Sequence, residues 1–250
     1  MPKISDMNGN RSGSYRDIFD DERLGHLISQ THAAAIRFGT ELERVISSLV
    51  PQSSIATVQS IAQTIARGEV DPLIPKHVIF KPTKPPVGRA RAIVCDFAIF
   101  FHQDQEFYVV ELKLGHDFDT QKSEAAHSKL QTICEFLTGR TGYTGRTYIA
   151  SFSATSKKQM LEGFKGYFHE NEVMLGPELC FYMGVDYEEV LQRLKVDQDA
   201  NKEYFLGQID KIQNGLPKEE YFAQIDRRKK RGITDAQQEI PIDPPEDIQL

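Results

Sequence analysis

Hydrophobic positions change period several times along the chain. Within residues 20–65, Phe38, Leu42, Val45, Ile46 and Leu49 recur at i, i+4, i+7, i+8 and i+11, the spacing of one helical face, and Pro51 marks a stop. Residues 81–88 carry Pro82, Pro85, Pro86 and Gly88 and interrupt regular structure. On either side of that break the pattern predicts strands over 77–80, 91–101 and 106–114, the last two joined into a hairpin by the polar turn 102–105. A helical period returns with Ala126, Leu130, Ile133, Cys134 and Leu137, with Ser123 as N-cap and Gly139 as the stop. Residues 147–152 read as a strand, 157–168 as a helix, 178–183 as a further strand, and 187–214 and 218–231 as helices. The sum is an α/β fold: a mixed central β-sheet flanked by helices, with helical N- and C-terminal parts.

With 250 residues, 40% of them hydrophobic, the chain is long enough to bury one ordinary core. The expected divisions are a flexible N-terminus over 1–12, a single domain over 13–234, and an acidic tail over 235–250 containing Pro241, Pro244 and Pro245. The longest strongly apolar stretch, residues 92–101, is interrupted by Asp96 and falls short of the ~20 residues that cross a bilayer. The first ten residues lack the basic start and apolar run of a secretory leader. Cys95, Cys134 and Cys180 lie far apart in apolar contexts, without the spacing of a zinc site or disulfide framework, and read as reduced core residues of a cytoplasmic protein.

The formal net charge of -6 argues against a polyanionic partner until its distribution is considered. Between Asp71 and Asp96 lie Lys76, Lys81, Lys84, Arg89 and Arg91 with no acid, a local +5. Between Glu135 and Glu170, Arg140, Arg146, Lys157, Lys158 and Lys165 face Glu162 alone, a local +4. Residues 227–231 form a third basic cluster. A phosphate-binding face is compatible with the acidic total.

The chemistry concentrates in the hairpin. Alternation along its second strand puts Phe107, Val109, Glu111 and Lys113 on one face and Tyr108, Val110, Leu112 and Leu114 on the other. Charges in so apolar a setting are costly unless paired or bound to a metal. Asp96 sits in a similar apolar run, and a separation of 15 positions lets a hairpin bring it near Glu111 and Lys113. Two carboxylates with a main-chain carbonyl and waters suit a hard cation such as Mg²⁺, which activates a water and stabilises charge on phosphorus while a lysine positions the water or neutralises the phosphate. Glu111-Leu-Lys113 is the only acid-x-lysine triplet in the chain.

Asp96 followed by Glu111-Leu-Lys113 resembles the signature of the PD-(D/E)XK nucleases, although Val94-Cys95 stands where a proline often precedes the first acid. The order of elements over roughly residues 35–185 is similar as well. The resemblance implies a restriction-endonuclease-like fold in which Asp96 and Glu111 bind the metal and Lys113 orients the water. Residues 111–123 look like the catalytic strand and following loop of type II restriction endonucleases, which would put Asp119 and Lys122 at the rim of the site. Residues 37–43 are similar to a Gly-Thr-x-x-Glu stretch on the N-terminal helix of such enzymes, which makes Glu43 a fourth candidate catalytic residue; Glu41 also borders the apolar face, and the pattern leaves both open.

Other features carry less. The run from Gly139 to Gly145 has Arg140 where a Walker loop needs glycine, and reads as a helix stop and turn. The histidines show no pair at zinc-ligand spacing. Lys81, Lys84, Arg89, Arg91, Lys122, Arg140 and Arg146 are the candidate DNA contacts, since arginine to guanine is the commonest specific contact. The expectation is a Mg²⁺-dependent type II restriction endonuclease of a prokaryotic cytoplasm, acting as a homodimer on double-stranded DNA at a short specific sequence and encoded beside a DNA methyltransferase. A nuclease of the same fold acting on structured or damaged nucleic acid, and a non-catalytic nucleic-acid-binding module, are the alternative readings.

Overall fold

Residues 97–101 are apolar throughout because they form the second strand of a five-stranded sheet covered on both faces. The computed structural model describes residues 3–9, 14–86, 91–115, 117–195 and 198–236, with side chains described as far as 227. In chain order the elements are α1 (Ser14–Phe19), α2 (Glu22–Leu49), α3 (Val58–Arg67), β1 (Lys76–Phe80), β2 (Thr83–Lys84), β3 (Ile93–Val94), β4 (Phe97–Phe101), β5 (Glu106–Lys113), α4 (Thr120–Thr141), β6 (Thr144–Ser151), α5 (Lys157–Gly163), β7 (Val173–Leu175), α6 (Gly176–Met183), α7 (Tyr187–Lys195), α8 (Gln198–Gln213) and α9 (Lys218–Ala236). They fall into two compact units, residues 38–196 and residues 2–37 with 197–250.

The sheet belongs to the first unit and has the order β1-β4-β5-β6-β7. β1, β4 and β5 are antiparallel, whereas β5, β6 and β7 are parallel, so the sheet is mixed. Side-chain alternation sends Val78, Phe97, Ile99, Val110 and Leu112 to one face, where they meet Leu42, Val45 and Ile46 of α2, Leu179 and Met183 of α6 and Val190 of α7. The opposite face carries Ile79, Ala98, Phe100, Phe107, Val109 and Ile149 against Ile61 of α3, Leu130, Ile133 and Leu137 of α4 and Met160 of α5. This is a restriction-endonuclease-like α/β sandwich with helical termini.

The connection from β5 to β6 places the site. α4 starts at Asp119, whose carboxylate accepts from the Lys122 amide at 2.8 Å, four residues earlier than the Ser123 cap expected. It ends at Gly142, which has φ 72°. The tempting glycine run is therefore a helix end and a turn into β6. Gly145 is needed for a different reason: a Cβ there would lie 2.4 Å from both Cys134 Sγ and Phe107 Cζ.

Two strand assignments change. Residues 91–101 are broken at Cys95–Asp96, because β3 leaves the main sheet to pair with β2. Residues 178–183 are helical as α6: Pro177 occupies its first turn, and Glu178 accepts from the Leu175 amide at 2.7 Å. The expected strand at that point is the shorter β7 just before it. A six-residue apolar run does not separate the two periods, whereas the Gly-Pro-Glu entry does.

In the second unit, Ile4 and Met7 are buried with Ala34, Tyr204 and Phe205 close by, and the Ile4 amide donates to Asn201 Oδ1 at 2.8 Å. The N-terminus, read as flexible, is thus tied down in part. Tyr221, Phe222 and Ile225 of α9 form a second cluster with Ile212 and Leu216. Of the acidic tail expected over 235–250, residues 237–250 lie outside the described residues. Among the described residues no helix is long and apolar enough to cross a membrane.

Gly145→Ala is expected to destabilise the protein by about 1–3 kcal/mol, because the methyl has no room. Gly39→Ala, within α2, should instead stabilise by about 0.5–1 kcal/mol, because the added methyl meets nothing within 4 Å. Thermal unfolding of both variants checks the opposite signs.

Candidate active site

The register of the β4–β5 hairpin builds the site. Phe97 pairs with Val110, so Asp96, at the bend one step beyond, faces Glu111. Asp96 Oδ2 accepts a 2.7 Å hydrogen bond from the Leu112 amide, which pins the carboxylate to the partner strand. The backbone at this bend is held from outside the hairpin as well. The Lys81 amide donates to the Asp96 carbonyl at 2.8 Å, with Lys81 itself in the left-handed region at φ 49°. Beyond β5, Phe152 and Ser153 amides donate to the Lys113 and Leu114 carbonyls, and Ser151 Oγ donates to the Gly115 carbonyl at 3.0 Å.

Glu111 is 5% exposed. Its Oε1 accepts from Lys113 Nζ at 2.6 Å, and Lys129 Nζ of α4 lies 2.6 Å from Oε2 without hydrogen-bonding alignment. Losing both partners would leave a buried charge whose cost is several kcal/mol. Asp96 has no lysine at that distance among the described ion pairs. Burial and the neighbouring charge of Glu111 push its carboxyl up to about 6. Burial likewise pushes the Cys95 thiol up to about 12, so this cysteine is a neutral core residue.

Glu43 reaches the same neighbourhood from α2 and pairs with Lys81 at 2.8 Å. That hydrogen bond holds the Lys81 ammonium above its usual range, aided by the charges of Asp96 and Glu111. Glu41 pairs instead with Arg44 on its own helix. The geometry therefore brings Glu43 to the site.

A cavity of about 270 Å³ opens beside the cluster, lined by Glu111, Lys113, Lys122 and Lys129 against the apolar wall of Phe118, Ile149 and Phe164. Lys122 is exposed and pairs with Asp119 at 2.9 Å. Lys84 lies in β2 and Arg91 just before β3, on the segment leading to Asp96. Arg89 and His116 lie outside the described residues. Arg140 and Arg146 are elsewhere: Arg140 is in the last turn of α4, and Arg146 pairs with Glu106 at 2.7 Å, five residues before Glu111 and roughly 17 Å away along the strand.

Lys129 is not among the residues named from the sequence. It had a signal, a charge inserted in the stripe Ala126, Leu130, Ile133 and Leu137 that packs on the sheet.

The donor set fits a hard cation. Among the described residues no group of three or more His, Cys, Asp or Glu side chains is arranged as a metal cage. Mg²⁺ does not require one, since it keeps several waters and takes one or two carboxylates. Asp96 and Glu111 would supply those, and a carboxyl that burial and a neighbouring carboxylate drive toward its neutral form would gain from a nearby cation.

The central hairpin of the mixed sheet ends in two carboxylates and a lysine and is crossed by a helix, the arrangement that the resemblance to type II restriction endonucleases implies. Over 218 residues the chain is 29% identical to the type II restriction enzyme HhaII of Haemophilus parahaemolyticus, a likeness covering 85% of this chain and 95% of that one. No family model matches the chain, and no solved structure matches it.

Asp96→Asn retains an acceptor for the Leu112 amide and removes the repelling charge. Without divalent cations it should raise stability by about 1–2 kcal/mol at pH 8. The ionised form is the costly one, so the gain should vanish at pH 4, where the wild-type carboxyl is protonated in the folded state. Millimolar Mg²⁺ should raise the wild-type Tm and leave the variant's unchanged. A variant less stable than wild type in EDTA at pH 8 contradicts this account of Asp96.

Proposed function

We propose that this protein is a Mg²⁺-dependent type II restriction endonuclease that hydrolyses phosphodiester bonds of double-stranded DNA at a short specific sequence. The observation that carries the reading is the convergence of Asp96, Glu111 and Lys113 at one end of a buried hairpin, beside a cavity lined by lysines. The similarity to HhaII supports it over most of the chain.

Asp96 and Glu111 would hold Mg²⁺. When bound, the cation supplies charge stabilisation at phosphorus and lowers the pKa of a water. Lys113, whose ammonium is already fixed by Glu111 at 2.6 Å, orients the attacking water and donates toward the phosphate. Glu43 holds Lys81 in place and adds negative charge that strengthens the attraction for a cation. Phe118, Ile149 and Phe164 exclude bulk water from one wall of the cavity and so strengthen these interactions.

Lys84, Arg91 and Lys122 are the DNA contacts that this geometry favours, because they flank the site. A homodimer of two such sites would cut both strands of a two-fold symmetric sequence. A methyltransferase that protects the same sequence would be encoded nearby.

The test is incubation of purified protein with unmethylated phage DNA in Mg²⁺ or EDTA, beside Lys113→Ala. Discrete fragments should form only with wild type and Mg²⁺. Lys113→Ala should remain folded, because Lys129 still compensates Glu111, and should bind DNA while losing at least ~10²-fold in cleavage rate. Cleavage by Lys113→Ala at the wild-type rate would overturn the assignment of Lys113. Binding without any Mg²⁺-dependent cutting by the wild type would favour a non-catalytic module.

A further inference from the structure

Glu111 has one negative charge and two lysines within 2.6 Å, one on each oxygen. One counter-charge is enough to neutralise it, so either lysine can leave Glu111 without stripping the carboxylate of its partner. Neither lysine is sealed in: the side chains of Lys113 and Lys129 are 28% and 29% exposed, and both line the cavity together with a third lysine, Lys122. Lys122 has its own acid in Asp119. Lys113 and Glu111 share a strand and are aligned for a hydrogen bond. Lys129 comes from α4 and contacts Oε2 off the hydrogen-bonding direction, which makes it the weaker of the two holds on Glu111.

We propose that Lys129 is a DNA-phosphate ligand of this site, held on Glu111 Oε2 when no DNA is bound. This rests on the reading of the site as a metal-dependent phosphodiesterase and adds to it a contact from the crossover helix. A flexible four-carbon stem anchored on α4 lets the ammonium swing from the carboxylate into the cavity without moving the backbone. There it meets a non-bridging phosphate oxygen, and its charge is compensated again. The three lysines of the cavity then have distinct partners: Lys113 the water and Glu111, Lys122 the rim, Lys129 the phosphate.

The test measures binding rather than turnover. Wild type, Lys129→Gln and Lys129→Arg are titrated in Ca²⁺, over a range of KCl, with a duplex carrying the sequence at which the wild type cuts phage DNA. Losing one phosphate contact should weaken binding about tenfold at moderate salt and reduce the slope of log K against log [salt] by about 0.9. Lys129→Arg should restore the slope, since it retains the charge and reach. Thermal unfolding of each variant confirms that a folded protein is compared, and Lys129→Met replaces Lys129→Gln if the latter fails to fold. If Lys129 only supports Glu111, the glutamine variant will bind Ca²⁺ differently but keep the wild-type salt slope, and the inference is overturned. If the wild type cuts no DNA, the phosphodiesterase reading falls and the inference falls with it. Cutting by the wild type with unchanged slope in Lys129→Gln overturns the role of Lys129 alone.

Discussion

Two carboxylates of like charge are forced together at the end of one hairpin, and much of the first unit serves to keep them there. The Leu112 amide holds Asp96, two ammoniums hold Glu111, and the strand pairing from Phe97–Val110 to Phe101–Glu106 sets their register. A slip of one residue would turn Glu111 into the face that packs against α2, α6 and α7. The apolar side chains on both faces therefore specify the site as firmly as the charged ones, by making that slip prohibitively costly.

The hairpin and the placement of its charged residues were legible because β5 alternates cleanly and because its single acid-lysine pair interrupts an apolar pattern. The helical faces of α2 and α4 were legible for the same reason, since Phe38 to Leu49 and Ala126 to Leu137 keep one period. What periodicity could not supply was the state of short apolar runs. α6 buries Leu179, Cys180 and Met183 but exposes Phe181, and over so few residues this reads equally well as a strand. The break at Cys95–Asp96 leaves no periodic signal because it depends on β2, a two-residue strand whose pairing is a tertiary event.

At the site, the parts on neighbouring strands were readable and the part contributed across the fold was not. Lys129 is 18 positions from Glu111 and meets it only because α4 runs back over the sheet between β5 and β6. Arg140 and Arg146 show the converse. Their local excess of positive charge looked like part of one basic face, but the crossover carries them to the far end of the strands. Charge clustering along a chain says little about clustering in space when a helix of 22 residues intervenes.

The pairing of charges around the hairpin also bears on how the surface is met from a distance. Asp96, Glu111 and Glu43 are matched in number by Lys81, Lys113 and Lys129, so their fields nearly cancel a few ångströms away. At physiological ionic strength anything beyond about 8 Å is screened in any case. A polyanion diffusing toward a chain with a formal charge of -6 is therefore not drawn in by long-range attraction to this cluster. Encounter must be governed by orientation and by the few exposed basic side chains at the rim, and discrimination between surfaces then happens after touching rather than during approach.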